Sequence, residues 1–212
     1  MQISRFHPHL AKILELVLSP FGYFEWGVVL VKDLDEDVGL HRARIPIKVR
    51  DAQQSDLTEI SKATPYHRLE LLEARHAVGN KCLVAWSQGD IAGFNWYIHG
   101  RLHDGSFWID LNAEDVFCMD AMTYELFRGQ AVHTELLSHL LLDAKQEGFR
   151  KAYTRVSLQN VSSWKTHLKL GWSFHATILS LRLRPSLGGS LLSWPVVYPL
   201  SKATRSRTRR SS

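Results

Sequence analysis

Apolar residues recur along the chain with two periods. Val132, Leu136, Leu137, Leu140, Leu141 and Ala144 fall on one face of a 3.6-residue helix, and Gly148 follows as a stop. Pro8–Ser19 repeats the pattern in short form, with Leu10, Ile13, Leu14 and Val17 on one face, and Pro20-Phe21-Gly22 ends it. Ser55–Thr64, Pro65–Val78 and Asn160–Leu170 read as further helices. Period-two alternation or short apolar runs predict strands at Tyr23–Val31, Ile45–Arg50, Lys81–Ser87, Ile91–His99, Ser106–Leu111, Glu114–Thr123, Arg150–Leu158 and Trp172–Leu183. Gln88-Gly89-Asp90 between two of them signals a hairpin, because glycine supplies positive φ.

Hairpins in the first half imply antiparallel neighbours, and strands alternating with long helices in the second half imply parallel ones. The expected fold class is α/β (α+β), with a mixed central sheet flanked by helices. Residues 1–44 read as an N-terminal helix-strand extension whose charged end, Asp33–Arg44, is a linker. Residues 45–184 form the main domain and 185–200 a C-terminal extension able to add an edge strand. Residues 201–212 are an Arg/Ser/Thr tail expected to be disordered.

Charge changes this picture little. The net charge of +5 comes from 26 basic and 21 acidic residues, and five of the basic ones, Lys202, Arg205, Arg207, Arg209 and Arg210, lie in the tail. The body is therefore balanced, and nucleic acid is not an expected partner except through the tail. Cys82 and Cys118 make no disulfide framework, which favours a reducing compartment and a cytoplasmic location. No apolar run approaches the ~20 residues of a membrane span, so no membrane partner is expected.

The richest stretch for chemistry is Met122–Phe149. A strand turns through Arg128-Gly129-Gln130 into the long helix, which gathers backbone N–H groups at a positive dipole end and suits a phosphate or pyrophosphate. Other motifs fall away. His99-x-x-x-His103-Asp104 contains Gly100 in an expected loop, Gly171-Trp172-Ser173 lacks the second glycine of a nucleophile elbow, and Gly188-Gly189 lacks the Lys-Ser/Thr of a P-loop. No metal is expected.

Arg128-Gly129-Gln130-Ala131-Val132-His133 resembles the pyrophosphate loop of the GNAT superfamily of acyl-CoA-dependent N-acyltransferases, Gln/Arg-x-x-Gly-x-Gly/Ala. Val156–Asn160, Ser163, His167 and Leu170-Gly171-Trp172 resemble that family's later strand, helix and closing Leu-Gly-aromatic. Val49-Arg50-Asp51-Ala52 with Asp56-Leu57 resembles its opening strand and first helix, so the likeness covers roughly Ile45 to Leu183.

The resemblance implies a GNAT-like sheet with splayed parallel central strands, Val116–Thr123 and Lys151–Leu158. It implies acetyl-CoA as acyl donor and direct transfer to the amine of a small molecule or peptide. The backbone of Ala121, Met122 and Thr123 would hold the pantetheine and polarise the thioester. Arg128, Gly129, Gln130, Ala131, Val132, His133 and Thr134 would hold the pyrophosphate. Asn160 and Ser163 would contact the cofactor's arm, although Asn160 also suits a helix N-cap. His167 would give a proton to the departing sulfur. Glu114 and Asp120 are candidate bases, six residues apart and on one face if their strand is regular. Tyr66, His67 and Arg68 fall on the acceptor's wall. The loop departs from the pattern at Ala131 and His133. Alanine fits there if its φ is helical, and histidine is expected to point outward or donate to an anion. Those two departures support the alternative of a catalytically inactive GNAT-like ligand- or partner-binding protein. A homodimer through edge strands stays open.

Overall fold

The computed structural model describes residues 13, 16–17, 22–63, 66–104, 107–183 and 196–199. The strands run in the order β1 (Gly22–Asp33), β2 (Lys48–Asp51), β3 (Lys81–Ser87), β4 (Asp90–Ile98), β5 (Arg101–Asp104), β6 (Phe107–Asp110), β7 (Asp115–Thr123), β8 (Lys151–Ser157), β9 (Ser173–Leu183) and β10 (Val196–Pro199). The helices are α1 (Gln54–Ala63), α2 (Leu69–Ala77), α3 (Val132–Gln146) and α4 (Val161–Lys169). Eight strands form one mixed sheet in the order β10-β9-β1-β8-β7-β4-β3-β2, and β5 and β6 form a separate hairpin. Of the expected first helix, residues 13, 16 and 17 are helical; its remainder and the tail lie outside the described residues.

Strand parity divides the core. On β3, Leu83 and Ala85 face the side covered by α3, with Ala92, Tyr97, Val116 and Cys118 from neighbouring strands. Cys82 and Val84 face the other side, where Leu57 and Ile60 of α1 and Leu72 of α2 pack with Ile91, Phe94 and Trp96. The six apolar positions of α3 are all buried, four of them leucines at 0% exposure. Each buried leucine contributes about 2 kcal/mol of apolar transfer energy, enough to fix the helix on the sheet. Gly148, at φ 93, ends it, with Phe149 N–H returning to the Ala144 carbonyl.

The expected N-terminal extension is integrated into this sheet. β1 lies between β8 and β9 and pairs antiparallel with both. The expected linker after it packs down, with Leu34 and Val38 buried and Arg44 N–H donating to the Gln130 carbonyl. The hairpin between β3 and β4 turns through Gln88 and Gly89, both at positive φ, as a two-residue turn of the I′ kind requires.

Two irregularities shape the centre of the sheet. β7 and β8 pair in parallel only from Asp115/Lys151 to Cys118/Thr154 and then part. The splay that the resemblance implies is therefore present. On its other side β7 pairs β4 through Met119↔Trp96 and then Met122↔Phe94, so β7 carries one extra residue opposite Asn95. Asp120 takes φ 49 to make this bulge. Gly93 lets the strands close beyond it, since a Cβ there would meet the Met122 carbonyl oxygen at 2.6 Å.

Candidate active site

The splay opens a cleft of about 130 Å³ on the α3 side of the sheet. Cys118, Met119, Asp120 and Ala121 of β7 and Thr154 and Arg155 of β8 line it, closed at the end by the Thr154 hydroxyl donating to the Cys118 carbonyl at 2.9 Å. Asn95 from β4, His133 from α3, and Asn160, Ser163 and His167 around α4 complete the wall. Among the described residues, Asp120 and Ala121 have no ladder partner on either side, so the bulge leaves their backbone free for another molecule.

Above the cleft stands the loop into α3. A single 3-10 turn, Glu125–Phe127, is followed by Arg128, whose Nε donates to the Thr123 carbonyl at 3.4 Å. Gly129 has φ 76, and Ala131, at the helix N-cap, has φ 60 and ψ 19. The expected helical φ at Ala131 is thus corrected: the position is left-handed, where glycine is preferred and alanine is strained. Among the described residues, no acceptor reaches the backbone N–H groups of Gly129 to Thr134, and no side chain caps the helix. Six free donors at the positive end of a 15-residue helix form an anion cradle. Two arginines flank it. Arg44 Nη1 donates to the Gly129 carbonyl at 3.4 Å, and Arg42 pairs with buried Glu135 at 3.2 Å, while Glu135 also accepts from Ala43 N–H.

His133 corrects a second expectation. Its ring does not point outward. It turns under the loop into the cleft, edge-on to His167 with centroids 5.9 Å apart. Its Nε2 is enclosed and, among the described residues, has no hydrogen-bond partner, and burial, with repulsion from His167, pushes its pKa down to about 4. Asn95 Oδ1, on a residue only 2% exposed, is likewise unpartnered. Two enclosed polar atoms without partners beside one cleft are what a bound polar molecule would satisfy.

α4 supplies the third wall. Asn160 caps it, its Oδ1 accepting from Ser163 N–H at 3.1 Å, and it lines the cleft as well. His167, 4% exposed, lies edge-on to Trp172 at 5.0 Å. Its Nδ1 lies 2.7 Å from the Ser163 carbonyl oxygen. Burial lowers its pKa, partly offset by that hydrogen bond, so the imidazole is neutral at pH 7.

The two candidate bases separate. Asp120 lines the cleft, and its carboxylate reaches through to the opposite face of the sheet, where Arg75 of α2 pairs with it at 2.6 Å. Arg75 in turn lies over the Trp96 ring at 5.1 Å. Glu114 precedes β7 at the far end of the strand from the splay, exposed and 4.0 Å from Arg150. The bulge breaks the period-two register on which their shared face depended. On the α1–α2 face, His67 packs edge-on to Phe94 at 5.3 Å and Tyr66 is exposed. A wider cleft of about 480 Å³ on that face is lined by Glu59, Trp86, Asp90, Ile91, Tyr124 and Phe127.

Of the expected residues, the structure thus brings Asp120, Ala121, His133, Asn160, Ser163 and His167 to one cleft. Arg128 to Val132 and Thr134 stand at the adjoining loop, and Met122 and Thr123 continue β7 beyond the bulge. Sequence reasoning missed Asn95, Cys118, Met119, Thr154, Arg155, Arg42 and Arg44. Asn95 and Thr154 carried a signal: each is a polar residue at an inward parity of its strand, Asn95 sharing the face of Tyr97 and Thr154 that of Ala152 and Val156.

The acetyltransferase (GNAT) family matches residues 47–172. No curated protein matches the chain. Solved structures share the fold at low identity. A GCN5-related N-acetyltransferase from Sphaerobacter thermophilus is 13% identical over 79% of this chain and 54% of its own, with a TM-score of 0.57. An N-acetyltransferase from Staphylococcus aureus Mu50 is 21% identical over 64% of this chain and 87% of its own, with a TM-score of 0.52. A Drosophila protein is 13% identical over 82% of this chain and 57% of its own, with a TM-score of 0.55. The chain spans little more than half the length of the Sphaerobacter and Drosophila proteins.

Proposed function

The chain belongs to the GNAT family of acetyltransferases, and from that premise we propose that it moves an acetyl group from acetyl-CoA to the primary amine of a small molecule or peptide. The observation that carries this reading is the junction of the splay with the loop into α3. Free N–H groups from Gly129 to Thr134 suit a pyrophosphate, with Arg128 and Arg44 adding positive charge beside it. From that loop the gap between β7 and β8 leads into the cleft, lined by Asn160, Ser163 and the unpartnered Asn95 Oδ1. The residues present therefore fit a CoA thioester. The His133 ring, turned into the cleft, leaves the loop's donors clear, which favours a binding-competent loop over an inactive one.

In this reading the unpaired backbone at Asp120–Ala121, continuing through Met122 and Thr123, orients the thioester and polarises its carbonyl. Asp120, open to both faces, marks the passage to the α1–α2 side, where the acceptor enters near Arg75 and His67. Asp120 ties Arg75 in place, and Glu114 is too far along β7 to act. The two free, buried cysteines, Cys82 and Cys118, support a reducing compartment such as the cytoplasm.

Gln130→Glu tests the reading. It places a carboxylate at the phosphate cradle at a position with no positive φ. Titration with acetyl-CoA is expected to give at least a tenfold weaker dissociation constant, and free-thiol release over a panel of amines is expected to fall in parallel at subsaturating donor. Equal affinity in the two proteins would remove the loop from the donor site.

A further inference from the structure

The wider cleft on the α1–α2 face, of about 480 Å³, shares no lining residue with the cleft at the splay. Its volume suits a small organic molecule. Its walls are of two kinds. Trp86, Tyr124 and Phe127 supply ring surface, and Glu59 and Asp90 supply exposed carboxylates. Among the described residues Asp90 has no ion pair. Glu59 has one, with Lys62 at 2.7 Å on the same helix, an exposed pair that another ammonium can displace at little cost. Arg50, 5.4 Å over the Trp86 ring, brings no net charge, because Asp56 holds its guanidinium through both carboxylate oxygens. Lys48 stands opposite Trp86 in the β2–β3 ladder but outside the lining. The cleft is aromatic and acidic, which suits an organic cation.

A row of rings joins this cleft to the passage at Asp120. His67, on which the Asp120 charge acts, lies edge-on to Phe94 at 5.3 Å, and Phe94 lies edge-on to Tyr124 at 6.4 Å. Asp120 and Tyr124 are four residues apart on one extended stretch, which spans roughly 10–13 Å. We propose that the cleft holds a second cationic group of the acceptor. The substrate class is then a dication: an amine that reacts at the passage beside Asp120, joined by an apolar spacer to an ammonium or guanidinium seated among Glu59, Asp90 and the rings. The assignment rests on the acyl-transfer reading above.

Each part of the face has a task in this. The two carboxylates accept from the N–H groups of the remote cation, and the ring surface attracts its charge. Burial, and after it the charge of Glu59, raises the Tyr124 pKa, so the hydroxyl stays protonated and offers a lone pair to an ammonium hydrogen. Leu69 and Met122, half-buried beside Phe94, give the spacer apolar surface between the two ends. A remote carboxylate on the acceptor would instead meet Glu59 and Asp90 as like charges. Selection therefore falls on the far end of the acceptor, where no bond changes.

The test uses the full-length protein, acetyl-CoA and three acceptors of one length: a linear eight-carbon diamine, the matching monoamine, and the matching amino acid with its carboxylate at the far end. Free-thiol release is expected to give the diamine a kcat/KM about tenfold or more above the monoamine, with the amino acid lowest. The gap should narrow between about 0.05 M and about 0.5 M salt. In the double variant Glu59→Gln, Asp90→Asn, which alters only exposed side chains, the ratio of diamine to monoamine should fall to within about threefold of one. Calorimetric titration of the diamine without acetyl-CoA should show binding that weakens about tenfold in that variant. A diamine no better than the monoamine, or a preference that survives the double variant, overturns the second-cation site and leaves the acyl-transfer reading intact. Bound acetyl-CoA with thiol released to none of the three overturns the substrate class and leaves the donor site standing. A wild type that binds the diamine but not acetyl-CoA removes the acyl-transfer reading, and the acceptor role of the cleft with it.

Discussion

Replacing Ala131 by glycine should make this protein more stable, although the change is made at the start of its longest helix. Ala131 sits at φ 60 and ψ 19, a conformation that costs an L-residue with a Cβ roughly 1–2 kcal/mol. Glycine adopts it without strain but brings back about 0.5–1 kcal/mol through its greater freedom in the unfolded chain. The half-buried methyl lost from Ala131 takes away a little more. The net expectation is a gain of about 0.5 kcal/mol. For a chain of this size that is a rise in Tm of about 1–2 °C. The control is Ala144→Gly, in the same helix but buried, where glycine should cost about 1 kcal/mol in helix propensity alone. Thermal and urea melts of the three proteins suffice. The two substitutions must move stability in opposite directions. If Ala131→Gly destabilises as Ala144→Gly does, the N-cap is not left-handed and the loop geometry described above is wrong.

Three further outcomes follow from the site. Arg44→Ala should weaken acetyl-CoA binding by about 3- to 10-fold while leaving acetyl-pantetheine, which lacks the pyrophosphate, unaffected; equal losses for both would place Arg44 elsewhere than beside the phosphates. Asn95→Leu should stabilise the ligand-free protein by about 1 kcal/mol, because it removes an enclosed, unpartnered carbonyl oxygen, and should cost acetyl-CoA about 3- to 10-fold in affinity. A variant both less stable and undiminished in binding would contradict it. His133→Gln should flatten the acid side of the stability curve. The His133 pKa is pushed down to about 4, so between that value and about 6.5 only the unfolded chain takes up its proton. Stability from this group is full above pH 6.5 and falls by about 1.4 kcal/mol per unit as pH drops through that window. Urea midpoints of wild type and variant that run parallel from pH 7 to 4.5 would refute a buried neutral imidazole.

Much of this architecture is legible in the chain, for identifiable reasons. The six apolar positions of α3 predict a helix because only that period gathers them, and all six are buried. The β3–β4 hairpin is read from Gly89, whose φ the turn needs. The place of β1 is not legible: alternation marks Tyr23–Val31 as a strand but says nothing of the distant partners, Lys151–Ser157 and Ser173–Leu183, that enclose it. β5 escapes notice because four residues hold too little alternation. The bulge at Asp120 is hidden for a different reason. Aspartate tolerates left-handed φ but does not demand it, and the register shift exists only in the pairing with β4. That one residue separates Glu114 from Asp120 in role. The inward turn of His133 is equally a product of packing, since the helix pattern fixes its direction but not the room beneath the loop.

In the proposed function, the loop into α3 and the splay beside it hold a CoA thioester. A thermal melt with and without acetyl-CoA tests it most directly. At about 100 times its dissociation constant, the ligand should add about 2.7 kcal/mol, a rise of roughly 5–10 °C for a chain of this size. The same concentration of acetate and free adenosine should add nothing. A shift of that size is expected, and it should be lost in Gln130→Glu. No shift with acetyl-CoA, in a protein whose Ala131→Gly variant confirms the loop's backbone, would contradict it.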